Sequence, residues 1–157
     1  MPNVTIHLHA PAVDHLQAYA RVSDFARYPG LVETVRQVVV EEPETDGSVV
    51  SSWTVAFRNG LLQWTERDVL DRVANTITFT QLKGDFHRFS GQWRISPAAN
   101  GGTVVAFDAA FDLGIASLEA ILNPIAERTL RSNIRLIVQG LLGEVAEVVP
   151  SPGRSGP

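Results

Sequence analysis

The 157-residue sequence carries 13 basic and 17 acidic residues, four histidines and no cysteine, for a formal net charge of −4. That length suits one domain able to bury its own core, and the lack of cysteine excludes disulfide frameworks, thiolate chemistry and thiolate-held zinc or iron–sulfur centres. The acidic balance argues against a general nucleic-acid binder. No apolar run reaches the roughly 18 residues a membrane span needs. Met1-Pro2-Asn3 lacks the basic and apolar regions of a signal peptide, so a soluble cytoplasmic domain is expected. Twelve of the thirteen basic residues are Arg and only Lys83 is Lys, a compositional bias that says little about function.

Residues 3–9 alternate, with Val4, Ile6 and Leu8 on one face, and predict a strand. Pro11 is placed to open a helix over 12–22, where Val13, Leu16, Tyr19 and Ala20 recur at helical spacing. Ser23-Asp24 can cap a second short helix that Tyr28-Pro29-Gly30 would end. Strands are expected over 35–42 and 48–57, joined by the turn chemistry of Pro43 to Gly47. The Asn59-Gly60 pair signals a tight hairpin. Further strands are expected at about 61–70, 74–83, 86–96 and 102–113. Short connections between six successive strands imply an antiparallel meander. From Ser117 to Val148 the period becomes helical, with a kink or restart allowed at Asn123-Pro124. The fold class is α+β: a seven-stranded curved sheet around one long C-terminal helix, as a single domain over 1–148 with a disordered tail over 149–157.

A cavity is the natural consequence of laying a helix across a curled sheet. Alternation assigns its walls. Two carboxylates are expected to face water, which sends Trp64, Glu66 and Asp68 outward and turns Gln63, Thr65 and Arg67 inward. Phe79, Phe89, Gly91, Trp93, Phe107 and Ala109 take inward positions on the later strands, and Gly91 withholds a side chain where a core would want one. On pattern alone the aromatic face also reads as solid core, and Arg67 as a residue snorkelling at the sheet edge. His7 and His9 alternate against the apolar face and read as surface, and His15 likewise. His87 shares the parity of Phe89 but stands at its strand's start, so both rim and pocket remain open. No metal site and no cofactor are called for.

Four segments, in this order, carry a resemblance: Ser23-Asp-Phe-Ala-Arg-Tyr-Pro29, Trp64-Thr-Glu-Arg67, Gly84-Asp-Phe-His-Arg-Phe89 leading to Trp93, and Thr103-Val-Val-Ala-Phe-Asp-Ala-Ala-Phe111. Over residues 3–146 the chain resembles the polyketide cyclase/dehydrase and lipid-transport family of the START-like, helix-grip superfamily, and in motif the aromatase/cyclases. The resemblance implies a pocket for a hydrophobic, oxygenated small molecule. It implies Arg67, Thr65, Asn133 and Tyr28 as catalytic groups, with Phe25, Gln63, Phe79, Phe89, Gly91, Trp93, Phe107, Ala109 and Ile137 against the substrate. The reaction implied is regiospecific aldol cyclisation and dehydration of a carrier-bound poly-β-ketone, Arg67 polarising a carbonyl oxygen. The seventh-strand His of some cyclases falls on Ala109, and no inward carboxylate is expected, which puts a His/Asp mechanism in doubt. The other reading is a non-enzymatic carrier of a quinone or lipid. An acyl carrier protein is a possible partner, with Arg27, Arg128 and Arg131 as docking candidates; no nucleic acid is expected.

Overall fold

The computed structural model describes residues 2–58, 60–114 and 119–149, with side chains in the last segment from Leu122 onward. Strand β1 (Asn3–Ala10) leads to helix α1 (His15–Val22), a 3-10 turn (Phe25–Arg27) and the short helix α2 (Tyr28–Leu31). Six strands follow: β2 (Val35–Val40), β3 (Val49–Phe57), β4 (Gly60–Asp71), β5 (Thr76–Gly84), β6 (Arg88–Pro97) and β7 (Thr103–Asp112). The long helix α3 (Glu119–Leu142) and a two-residue strand β8 (Ala146–Glu147) complete the chain. The sheet order is β2-β3-β4-β5-β6-β7-β1-β8, antiparallel throughout.

The expected order of elements is present, with three local differences. Helix α1 is started by Asp14, whose carboxylate accepts from the Gln17 backbone N–H at 2.9 Å; Pro11 lies in the turn before it. Tyr28-Pro29-Gly30 begins a helix instead of ending one. Pro29 sits in its first turn, where a missing N–H costs nothing. The third difference is β8, where a helix was expected. Gly143 adopts φ +86°, a left-handed conformation that closes α3 by donating to the Gln139 carbonyl at 2.9 Å. The chain then turns back and pairs Leu8 with Glu147 and His9 with Ala146, so the sheet has eight strands rather than seven. The expected helix start at Ser117, the hairpin residue Asn59 and the tail over 150–157 lie outside the described residues.

Helix α3 runs for 24 residues, about 36 Å at 1.5 Å per residue, with Pro124 inside it. Ala126, Leu130, Ile134, Ile137, Val138 and Leu141 are buried at helical spacing. They face the inward residues of the sheet, Phe79, Phe89, Trp93, Val105 and Phe107, which the alternation of β5, β6 and β7 assigns to that side. Among the described residues, no helix is long and apolar enough to cross a membrane.

Candidate functional site

The wall that matters most is set by the β3–β4 hairpin. Trp53 and Val55, both buried, and half-buried Phe57 share one face of β3. Their apolar surface turns that face inward. Residues directly opposed in a ladder project to the same side. Trp53 stands opposite Trp64, Ser51 opposite Glu66 and Val49 opposite Asp68, so Trp64, Glu66 and Asp68 point inward.

The sequence-based expectation for β4 is thereby inverted, and Arg67, Thr65 and Gln63 lie on the outer face. Arg67 Nη1 donates to Glu44 Oε1 and, at 3.3 Å, to Ser48 Oγ, with 39% of its side chain exposed. The Thr65 hydroxyl is hydrogen-bonded to Ser52 Oγ at 2.8 Å. Gln63 is exposed beside Asp85, whose carboxylate accepts from the Gln63 backbone N–H at 2.7 Å. The premise that carboxylates belong in water fails here because both are buried with hydrogen-bond donors. Glu66 is 6% exposed and accepts from Trp64 Nε1 at 2.7 Å. Asp68 is 0% exposed, and its Oδ2 accepts from Ser51 Oγ at 2.5 Å; Ser51 in turn accepts from Trp53 Nε1 at 2.8 Å.

Between this wall and α3 lies a cavity of about 70 Å³. Phe25, Tyr28, Phe79, Phe89, Trp93, Phe107, Asn133 and Ile137 line it, together with Trp53, Val55, Phe57, Leu62, Trp64, Glu66, Phe86, Leu130 and Ile134. All three tryptophans of the chain are among them. The rings interlock: Trp53 and Trp64 stack at 6.0 Å with planes 4° apart, and Phe86 and Phe89 stack at 4.4 Å. Phe57, Leu62, Trp64 and Asn133 are only half-buried and form the rim.

Besides Gln63, Thr65 and Arg67, two more expected pocket residues, Gly91 and Ala109, do not open onto the cavity. A Cβ on Gly91 would meet Asp108 O at 2.1 Å, Ala109 Cα at 2.8 Å and Phe79 Cζ at 2.9 Å. The room that glycine leaves is taken by the β7 backbone and the Phe79 ring, so Gly91 marks close packing and not a void. Ala109 is buried opposite it in the ladder. His87 is exposed, and the inward place before Phe89 belongs to Phe86. A shift of register between Thr65 and Glu66 against β5 accompanies this change of parity.

The expected polar groups that do reach the cavity are already engaged. Tyr28, 1% exposed, donates its hydroxyl to the Val22 carbonyl at 2.5 Å. Asn133 Nδ2 donates to the Ala56 carbonyl at 3.2 Å, tying α3 to β3. Glu66 is the acid of the wall. Burial pushes its carboxyl well above the ordinary carboxylate range, the neighbouring Asp68 carboxyl pushes it further, and the Trp64 N–H opposes both. Burial also raises Asp68. Burial thus favours the protonated form of Glu66, whose carboxyl is set among aromatic rings. Among the described residues, no group of three or more His, Asp or Glu is placed to hold a metal ion.

A curved antiparallel sheet closed on a long C-terminal helix, with an apolar cavity between them, defines a START-like helix-grip protein. The chain belongs to the polyketide cyclase/dehydrase and lipid transport family, whose model matches residues 12–137. No protein of curated function matches the sequence. Among solved structures, a protein from Thermus thermophilus is similar at 20% identity and a TM-score of 0.79, covering 89% of this chain and 94% of its own. The Zhui aromatase/cyclase from a Streptomyces species is similar at 18% identity and a TM-score of 0.71, covering 90% of each chain. A START superfamily protein from Mycobacterium smegmatis is similar at 16% identity and a TM-score of 0.72, covering 90% of this chain and 94% of its own. At these identities the likeness is one of fold.

Proposed function

We propose that the chain binds a flat, hydrophobic, oxygenated small molecule in the aromatic cavity and acts on it as a cyclase/dehydratase, with Glu66 as the acid–base group. The observation that carries this reading is the buried carboxyl of Glu66, held by the Trp64 N–H on a wall of aromatic rings where burial favours its protonated form. A poly-β-ketone enolises readily, so an enzyme for it needs chiefly to fold the chain and handle one proton at a defined oxygen. Glu66 donates that proton to a carbonyl or departing hydroxyl and takes it back from the adjacent carbon or water. The rings restrict which carbons meet. In this scheme Glu66 takes the part that the family resemblance gives to Arg67. Tyr28 and Asn133 shape the wall rather than the chemistry.

The cavity is less than half the roughly 150 Å³ of an apolar cavity that takes up benzene. A ring-sized ligand therefore enters by displacing rim side chains, Phe57 and Leu62 at the hairpin and Asn133 on α3. An acyl carrier protein remains the proposed source of substrate. Of its docking candidates, Arg131 is held by Glu127 at 3.8 Å and Glu147 at 2.9 Å, whereas Arg27 lines a surface cleft with Arg21.

The test is to supply the purified chain with a poly-β-ketone generated on its carrier protein and to compare wild type with Glu66→Gln. A single cyclised product from wild type, reverting to the spontaneous mixture with E66Q, supports the enzyme. A product mixture that wild type leaves unchanged contradicts it. The carrier reading is favoured by one observation, the internal engagement of Tyr28 and Asn133; a retained ligand without conversion would support it.

A further inference from the structure

Glu66 does not stand alone. Asp68, two residues along the same strand face, is fully buried, and its Oδ1 has no hydrogen-bond partner among the described residues. Its other oxygen accepts from Ser51. Two buried carboxyls two residues apart on one strand face are unfavourable as two charges without a cation, and a proton held between them gives the idle oxygen a donor. Among the described residues lining the cavity there is no Arg, Lys or His; the nearest basic residue in sequence, Arg67, points away and is paired with Glu44.

We propose that Glu66 and Asp68 form one proton-sharing pair of net charge −1, and that this pair restricts the pocket to uncharged ligands: ketones, enols, phenols, or acids masked as esters or thioesters, never free carboxylates. The inference rests on the proposed ligand pocket and names its substrate class. In the closed pocket the Glu66 proton serves Asp68; when a neutral ligand enters, the same O–H turns to the ligand's oxygen, and no covalent bond changes. An anion brought to the same place meets the Asp68 charge across an apolar medium, without a cation to offset it. The reaction supplying this ligand must therefore deliver it with any carboxyl already capped.

The groups that face the pair leave this charge in control. From α2 comes Tyr28, whose phenol burial keeps neutral; β3 contributes Ser51, β5 contributes Gln81 opposite Glu66, and Asn133 of α3 lines the same cavity. None supplies positive charge.

Calorimetric titration of the full chain with acetophenone and with benzenesulfonate tests the inference, because the sulfonate stays ionised at every pH used. At neutral pH acetophenone is expected to bind at least about tenfold more tightly. Discrimination should shrink as acidification adds the second proton to the pair, and shrink likewise in Asp68→Asn at neutral pH. Equal binding of the two probes by wild type overturns the inference while leaving the pocket intact. Discrimination that neither pH nor D68N alters overturns it too. Failure of both probes to bind overturns the pocket reading and this inference together. Should D68N not fold, the pH series on wild type decides.

Discussion

The indole N–H of Trp64 donates to Glu66 Oε1 at 2.7 Å, two residues along one face of β4. The contact fixes the acid's orientation within the wall while leaving its second oxygen available for a proton. An aromatic residue thus both lines the cavity and positions the one acid among the described lining residues.

The first consequence is a pH dependence. The folded-state values of Glu66 and Asp68 are raised by burial, so between the ordinary carboxylate range and those raised values the folded state holds more protons than the unfolded. Stability must then fall as pH rises through that window. Thermal unfolding of wild type should show Tm decreasing from about pH 5 upward, with E66Q losing part of that slope and melting higher at alkaline pH by a few degrees. A wild-type Tm that rises over the same range would contradict the buried-acid assignment.

The second concerns Arg67. Its ion pair with Glu44 is partly exposed, and such pairs contribute about 0–1 kcal/mol. Arg67→Ala should leave cyclisation and ligand binding unchanged and cost less than about 1 kcal/mol in urea unfolding. Loss of activity with an intact fold would restore the inward role that the motif resemblance implies.

How these two residues exchanged places shows what was legible in the sequence. Alternation identified the inner faces of β5, β6 and β7, where apolar residues dominate, Gln81 and Thr103 being the polar members, and burial alone decides. On β4 the faces carry Trp64, Glu66 and Asp68 against Thr65, Arg67 and Val69, and residue type alone favours the wrong one. The signal that resolves it lies on the neighbouring strand. Phe57 pairs with Gly60, which sets Trp53 opposite Trp64, and the Trp53/Val55/Phe57 face of β3 is plainly the apolar one. Faces had to be read through the hairpin, not strand by strand. The inward turn of Phe86 depends on the register shift between β4 and β5, which no local pattern announces. Nor does β8, which depends on where Gly143 releases the chain.

Close packing at Gly91 makes a sharp stability prediction. A methyl group there would lie 2.1 Å from the Asp108 carbonyl oxygen, which belongs to backbone and cannot swing aside. Gly91→Ala should destabilise the fold by about 3 kcal/mol or more in chemical denaturation. A change below about 1 kcal/mol would show that β6 and β7 are less tightly apposed than described.

Tyr28 separates structure from chemistry. Removing its hydroxyl leaves the Val22 carbonyl without that donor in a buried place, so Tyr28→Phe should cost about 1–3 kcal/mol. Ligand affinity and product pattern should remain those of wild type. A selective loss of turnover at unchanged stability would instead make the hydroxyl catalytic.

The central claim is that a neutral Glu66 carboxyl meets the ligand's oxygen, and infrared difference spectroscopy observes that group directly. At neutral pH, wild type minus E66Q should show the carbonyl stretch of a protonated carboxyl, and acetophenone should shift that band in wild type as the hydrogen bond is handed to the ketone. Absence of a protonated-carboxyl band, or a band that ligand binding leaves unmoved, would contradict the account.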